Sequence, residues 1–216
     1  MGGLVARNFL DGDARLSNVD RVVAAFDFDG TLTNQDSFIR FLAWKRPLAA
    51  FAVDVGVTTP TLLLHAAGIV GNDAHKMALF ARQFSGSSYG VFKESATEFA
   101  SKRIPSLLRL EAVRRLRAHV ASGHHVVIVT ASVPEWITPW AVTEGVSNVI
   151  GSELEIRDGK ITGKLRGSNC YGAEKVRRLL ALRPDRHSYT LIAYGDSLGD
   201  KEMLAAADVS YYRRFS

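Results

Sequence analysis

The chain has 216 residues, 47% of them hydrophobic and 23% charged, with a formal net charge of +5. That length suits one large domain or a core with a smaller insert, and the composition excludes wholesale disorder. The mild positive balance suits an anionic ligand or an anionic membrane surface; lacking a basic run interleaved with aromatics, it argues against nucleic acid.

The single cysteine, Cys170, excludes an intrachain disulfide and a cysteine-built zinc cluster, and fits a reducing, cytoplasmic setting. Met1 to Asn18 lacks the apolar core and cleavage site of a secretory signal and reads as a short loose arm. Arg21 to Phe26 is a nearly continuous apolar run ending at an Asp-rich, Gly-containing turn, the pattern of a strand buried on both faces. Gln35 to Ile104 then reads as helical, with glycine breaks at Gly71, Gly86 and Gly90. Within it, Pro47 to Gly71 carries one formal charge, Asp54. The plain expectation there is a buried or cap helix pair broken at Pro60. A segment in the membrane interface is the second reading, and a true span, opposed by Asp54, the threonines and the glycines, is the third.

Helical stretches follow at Leu110 to Ser122, closed by Gly123, and at Ala173 to Arg183, closed by Pro184. Apolar runs recur at His125 to Thr130 and Tyr189 to Gly195, each ending in polar residues. Glu153 to Leu165 alternates around Asp158-Gly159, a hairpin signal. Strands alternating with helices predict an α/β protein with a doubly wound, mostly parallel Rossmann-like sheet. Residues 1–34 and 105–216 would form that core, and 35–104 an inserted helical cap. Ligands gather at the carboxyl ends of such strands, where the polar run-ends converge.

Those ends hold the residues able to do chemistry. Asp27 and Asp29 follow the first strand on one side, with Phe28 turned away. Two carboxylates so close either have raised pKa values or share a divalent cation, and oxygen-only donors favour Mg²⁺. The plainer alternative makes Asp29-Gly30 a turn and Asp27 an N-cap. Asp196 sits where a sheet-end metal ligand would, and Asp200 is a metal-site candidate or the N-cap of the next helix. Thr130 offers a hydroxyl to a phosphate oxygen or to its own turn; Lys175, in the first turn of its helix, is a phosphate ligand or a solvent-facing side chain.

Asp27-Phe28-Asp29-Gly30-Thr31-Leu32-Thr33, Val126 to Thr130, Lys175, and Gly195-Asp196 with Asp200 together resemble the four ordered motifs of the haloacid dehalogenase (HAD) superfamily. The helical insert resembles its phosphoserine-phosphatase-like branch. The strings QDSFIRFL, HKMALFARQFSG and NCYGAEKVRRL resemble the bacterial subgroup containing a phosphatidylglycerophosphate phosphatase.

The resemblance implies a magnesium-dependent phosphomonoesterase with Asp27 as nucleophile and Asp29 as acid–base. Mg²⁺ would be held by the Asp27 carboxylate, the Asp29 backbone carbonyl and Asp196, with Asp200 orienting its water shell. Thr130 and Lys175, beside Gly30 and Thr31, would hold the phosphoryl oxygens. Haloalkanoate dehalogenases resemble this core but generally lack the second aspartate, so Asp29 implies phosphate chemistry. The substrate would be a phosphorylated glycerol lipid headgroup, with peripheral contact to an anionic membrane. A soluble ester such as phosphoserine is the alternative, and a non-catalytic phosphate- or metal-binding module a third. Asp36 falls near the position of a carboxylate that binds the ammonium group in phosphoserine phosphatases, though it also suits a helix N-cap ahead of Ser37. Lys76 and Arg82 are the candidate partners of a substrate carboxylate.

Overall fold

A computed structural model describes residues 21–44, 46–69 and 74–215; the expected N-terminal arm and the Gly71 break lie outside them. Five strands form one parallel sheet, in the order β3-β2-β1-β6-β7. They are β1 (Val22–Phe26), β2 (His125–Val129), β3 (Asn148–Ile150), β6 (Thr190–Gly195) and β7 (Val209–Tyr212). β1 is central, pairing with β2 and with β6, which is why its sequence is apolar on both faces. Val23 and Ala25 pack into one hydrophobic cluster with Val127, Leu191 and Ala193, while Ala24 and Phe26 pack into another with Val126, Ile128 and Tyr194.

Helices cover both faces, as in a doubly wound α/β fold. α5 (Leu110–Ala121) and α6 (Thr138–Thr143) supply residues to the Phe26 side. α7 (Ala173–Leu182) and α8 (Lys201–Ala205) supply the other.

Above the carboxyl edge of the sheet lie α1 (Ser37–Ala43), α2 (Leu48–Ala66), α3 (Ala74–Phe84) and α4 (Tyr89–Lys102). Their interior is aromatic: Phe41 stacks on Trp136 at 4.6 Å between ring centres, and Phe80, Phe84 and Phe92 meet edge-to-face or tilted around it. The expected hairpin forms as β4 (Leu154–Arg157) and β5 (Lys160–Leu165), and it docks on this helical layer. Gly86 and Tyr89 donate backbone N–H groups to Ile161 and Gly159, and Ile161 donates to Ser87. The two chain passages between sheet and helical layer run side by side. Thr33 bridges Leu108, Asn34 N–H bonds Leu107 O at 2.9 Å, and Arg109 N–H bonds Leu32 O at 2.8 Å.

The expected helix break at Pro60 does not occur; α2 runs through it. Proline removes one N–H and crowds the carbonyl four residues back, that of Gly56. Gly56 and Pro60 are both exposed, so water can take the orphaned carbonyl. Thr58 and Thr59 hydroxyls bond the Asp54 and Val55 carbonyls at 2.9 Å, holding the preceding turn. No helix among the described residues is long and apolar enough to cross a membrane.

Asp54, in the middle of α2, is buried and satisfied. Arg46 Nε donates to one oxygen at 2.6 Å, Arg82 Nε to the other at 2.7 Å, and Gln83 joins at 3.1 Å. The Arg46 bond, then that of Arg82, holds the carboxyl below its usual range against burial. This cluster locks α2 to α3. Asp54→Ala should lower the stability of the helical layer by about 2 kcal/mol, read as a shift of the urea midpoint. Because the folded-state pKa is depressed, the wild-type contribution is present at neutral pH and lost as the pH falls below the ordinary carboxylate value. The Asp54→Ala protein should lack that part of the acid dependence.

Candidate active site

Asp27 continues the β1 pairing, its N–H donating to Tyr194 O at 2.9 Å, and its carboxylate stands at the sheet's carboxyl edge. Phe28, the next residue, is buried in the core as alternation predicts. The chain then turns through Asp29 and Gly30, whose φ of +92° is the left-handed conformation that suits glycine. The turn brings Gly30 against the loop after β6: a β-carbon there would lie 2.3 Å from Asp196 Oδ2. Thr31 Oγ1 donates to Asp196 Oδ1 at 3.3 Å. The first-motif turn thus forms the wall on which Asp196 rests.

Asp27, Asp196 and Asp200 each offer a carboxylate oxygen within 4.8 Å of the other two. Lys175, buried at the start of α7, donates from Nζ to Asp27 Oδ1 and Asp200 Oδ1, both at 2.6 Å. Its solvent-facing alternative therefore fails. Three carboxyl groups face one ammonium, so ionising all three would leave surplus negative charge in a buried site. Burial pushes the Asp27 carboxyl up to about 8, outweighing the opposing Lys175. Burial, with Asp200, also raises Asp196. Lys175 is shared by two carboxylates, which outweigh its own burial and hold its ammonium above the ordinary range. The lysine is thus held charged, while burial opposes ionisation of the carboxyls around it. A divalent cation fits here: the donors are all hard oxygens and the charge deficit is of the right sign.

Asp200 is not a helix N-cap; both its oxygens serve the site. Oδ2 accepts from Asp196 N, Ser197 N and Ser197 Oγ at 3.2, 3.0 and 2.8 Å, while Oδ1 takes Lys175. It clamps the loop that presents Asp196.

Asp29 points elsewhere. Its Oδ1 accepts the backbone N–H of Ser37 at 2.7 Å and its Oδ2 the hydroxyl of Ser132 at 2.5 Å. Burial, then Asp36, raises its pKa against those two donors, a direction that suits a proton donor. Ser132 and Ser37 were not picked out in the sequence. The available signal was Ser132 lying two residues beyond Thr130 at a strand end, the same spacing that sets Asp29 beside Asp27. Thr130 accepts Ser132 N–H on its hydroxyl at 3.0 Å and still lines the cleft, so its turn-closing and ligand-facing readings are compatible.

The cleft, about 220 Å³, is lined by Asp27, Asp29, Thr130 and Lys175 below and by Phe38, Lys76 and Met77 above. Asp36 also lines it; it caps α1 by accepting Ile39 N–H at 3.0 Å and ion-pairs with Lys76. Arg82 is turned to Asp54 and is not among the lining residues.

A parallel sheet with carboxylates at its carboxyl edge and a helical roof defines the class of doubly wound α/β hydrolases. The family model of haloacid dehalogenase-like hydrolases matches residues 24–205, and the chain belongs to that family. It is 42% identical over 198 residues to the protein CicA of Caulobacter vibrioides, covering 90% of this chain and 86% of that protein. Among solved structures it is similar to a protein of unknown function from Bordetella pertussis (TM-score 0.71, 25% identity, 88% of this chain and 89% of that one). It also shares its fold with a phosphoserine phosphatase from T. onnurineus (TM-score 0.57, 21% identity, 90% and 84% covered).

Gly30→Ala should displace Asp196 and force the turn out of its φ, lowering hydrolytic activity about 100-fold while the protein stays folded by circular dichroism. An unchanged rate would show that the Gly30–Asp196 contact does not position the site.

Proposed function

We propose that this chain is a magnesium-dependent phosphomonoesterase that works through an aspartyl-phosphate on Asp27. The observation that carries the reading is the buried cluster of Asp27, Asp196, Asp200 and Lys175, with Asp29 held separately across the same cleft. Asp27 Oδ attacks phosphorus as the ester P–O bond breaks, and Asp29 passes its proton to the departing alkoxide. Asp29 then takes a proton from water, whose oxygen attacks the phosphorus and releases inorganic phosphate and the Asp27 carboxylate. Lys175 and Thr130 stand where the phosphoryl oxygens gain charge. Mg²⁺, held by Asp27, Asp196 and the Asp29 backbone carbonyl, would offset the repulsion between an anionic nucleophile and an anionic ester. Ser132 and the Ser37 amide orient the acid.

For the substrate, the roof supports a phosphorylated glycerol headgroup over phosphoserine. Asp36 is already engaged by its own helix and by Lys76, which leaves little net charge for an ammonium group. Lys76 lines the cleft beside that carboxylate, and a second anionic group next to the scissile phosphate would take the place of Asp36 on its ammonium.

Wild type should hydrolyse an aryl phosphate with Mg²⁺ and lose activity in EDTA. Asp27→Asn should lower the rate by at least about 1,000-fold; a wild type no faster than this variant would instead mark a non-catalytic binding module. Ser132→Ala should slow alkyl phosphates more than aryl phosphates, because a poor leaving group depends more on the oriented acid; equal losses would remove Ser132 from that role. Lys76→Ala should raise KM about ten-fold for a glycerol phosphate bearing a neighbouring phosphodiester, with aryl phosphate unaffected. Equal KM values would reject the second-anion proposal.

A further inference from the structure

α2 is an amphipathic helix turned inside out. Its inward half carries the polar groups: Asp54, Thr58 and Thr61, of which Asp54 and Thr58 are buried. Its outward half is apolar apart from Thr59, whose hydroxyl is turned to the Val55 carbonyl. Leu48, Ala49, Ala52, Val53, Gly56, Val57, Pro60, Leu63 and Leu64 are all exposed and share one side at helical spacing. Leu48 is 84% exposed, Leu63 65%, Val53 57% and Val57 56%. Burial of Asp54 by Arg46 and Arg82 is what holds the helix in this orientation, since rotating it would strand a carboxylate's partners. A monomer in water does not keep such a continuous aliphatic face without a use for it.

The surrounding charge points to what covers the face. Among the described residues 36–84 the cations are Arg40, Arg46, Lys76 and Arg82; Asp54 is shared by Arg46 and Arg82 and Asp36 pairs with Lys76, so the layer keeps a net positive balance with Arg40 exposed. An aliphatic face on a helical layer of net positive charge complements an anionic lipid surface. A second copy of the chain would bring the same cations face to face, and the exposed stripe has no tryptophan, tyrosine or phenylalanine to anchor a protein partner. At roughly 28 Å the helix is long enough to lie in the interface, and it is not apolar enough to cross.

We propose that the outward face of α2 docks the protein on an anionic membrane, helix in the plane of the surface. α2 packs on α3, whose Lys76 and Met77 line the active-site cleft, and His75 Nδ1 bonds Thr58 O at 3.1 Å. Docking through α2 therefore places the cleft's roof at the headgroup layer. This surface is independent of the chemistry; only its use for a lipid-borne phosphate rests on the phosphatase reading.

The experiment is vesicle flotation with phosphatidylcholine alone and with phosphatidylcholine containing phosphatidylglycerol, at low and high salt. Wild type should float with the anionic vesicles and less so at high salt, and Asp27→Asn should behave identically. The Val57→Glu/Leu63→Glu double variant should partition at least about ten-fold more weakly, with aryl-phosphate turnover unchanged. Wild type that stays with the soluble fraction, or a double variant that floats equally well, overturns the proposal. So does a wild-type dimer in light scattering that the double variant dissolves, which would assign the face to a second copy.

Discussion

Burying charge is expensive unless the charge is shared, and the site is organised around one such sharing. Lys175 reaches from the first turn of α7 to two carboxylates that follow the neighbouring strands β1 and β6. With Asp27 on β1 and Asp200 in the loop after β6, a single ammonium fixes the relative placement of three chain segments far apart in sequence. Removing Lys175 leaves the carboxylates buried without compensation, which costs more than the pair contributed. The surplus of negative charge that full ionisation would leave is what a cation would discharge. Structure and chemistry thus meet in one cluster: carboxyls that burial keeps from ionising would ionise more readily around a divalent cation.

The sheet was legible because its signals are local. Runs such as Val22–Phe26 and His125–Val129 are apolar on consecutive positions, and consecutive apolarity has one common explanation in an α/β protein. The polar residue ending each run located the cleft without further information. The partners of Asp29 were not legible, since a backbone amide of a distant helix and a serine hydroxyl leave no mark in sequence spacing. Lys175 and Asp200 were picked out by their motifs but each kept an ordinary helix alternative, which the 2.6 Å bond between them removes. At Pro60 the general rule failed for a stated reason: the carbonyl that proline orphans lies on the exposed side of α2, where water replaces the lost bond. Apolar composition between Pro47 and Gly71 could not tell a buried helix from a surface one; the decision lay with Asp54, whose arginine partners come from outside the helix.

The roof is built from different material than the floor. Below the cleft, backbone pairing and buried ions hold side chains to fixed positions. Above it, phenylalanines at Phe41, Phe80, Phe84 and Phe92 fill the layer, and Asp36, Lys76 and the Asp54 cluster are among the groups that set polar directions. Aromatic interiors tolerate repacking better than ion clusters do. Few polar side chains of the roof face the cleft, and two of them, Asp36 and Lys76, are paired with each other.

The two strands of chain that tie roof to floor are themselves bonded, Thr33 beside Leu108 and Arg109 beside Leu32. An insertion whose ends are stapled side by side closes on itself, so its internal length enters the sheet's stability only through a slowly varying loop entropy. The core is in effect indifferent to what is hung from that staple. A lineage carrying this arrangement can exchange or elongate the hanging segment, and with it the kind of ester admitted, without renegotiating the folding of the catalytic floor.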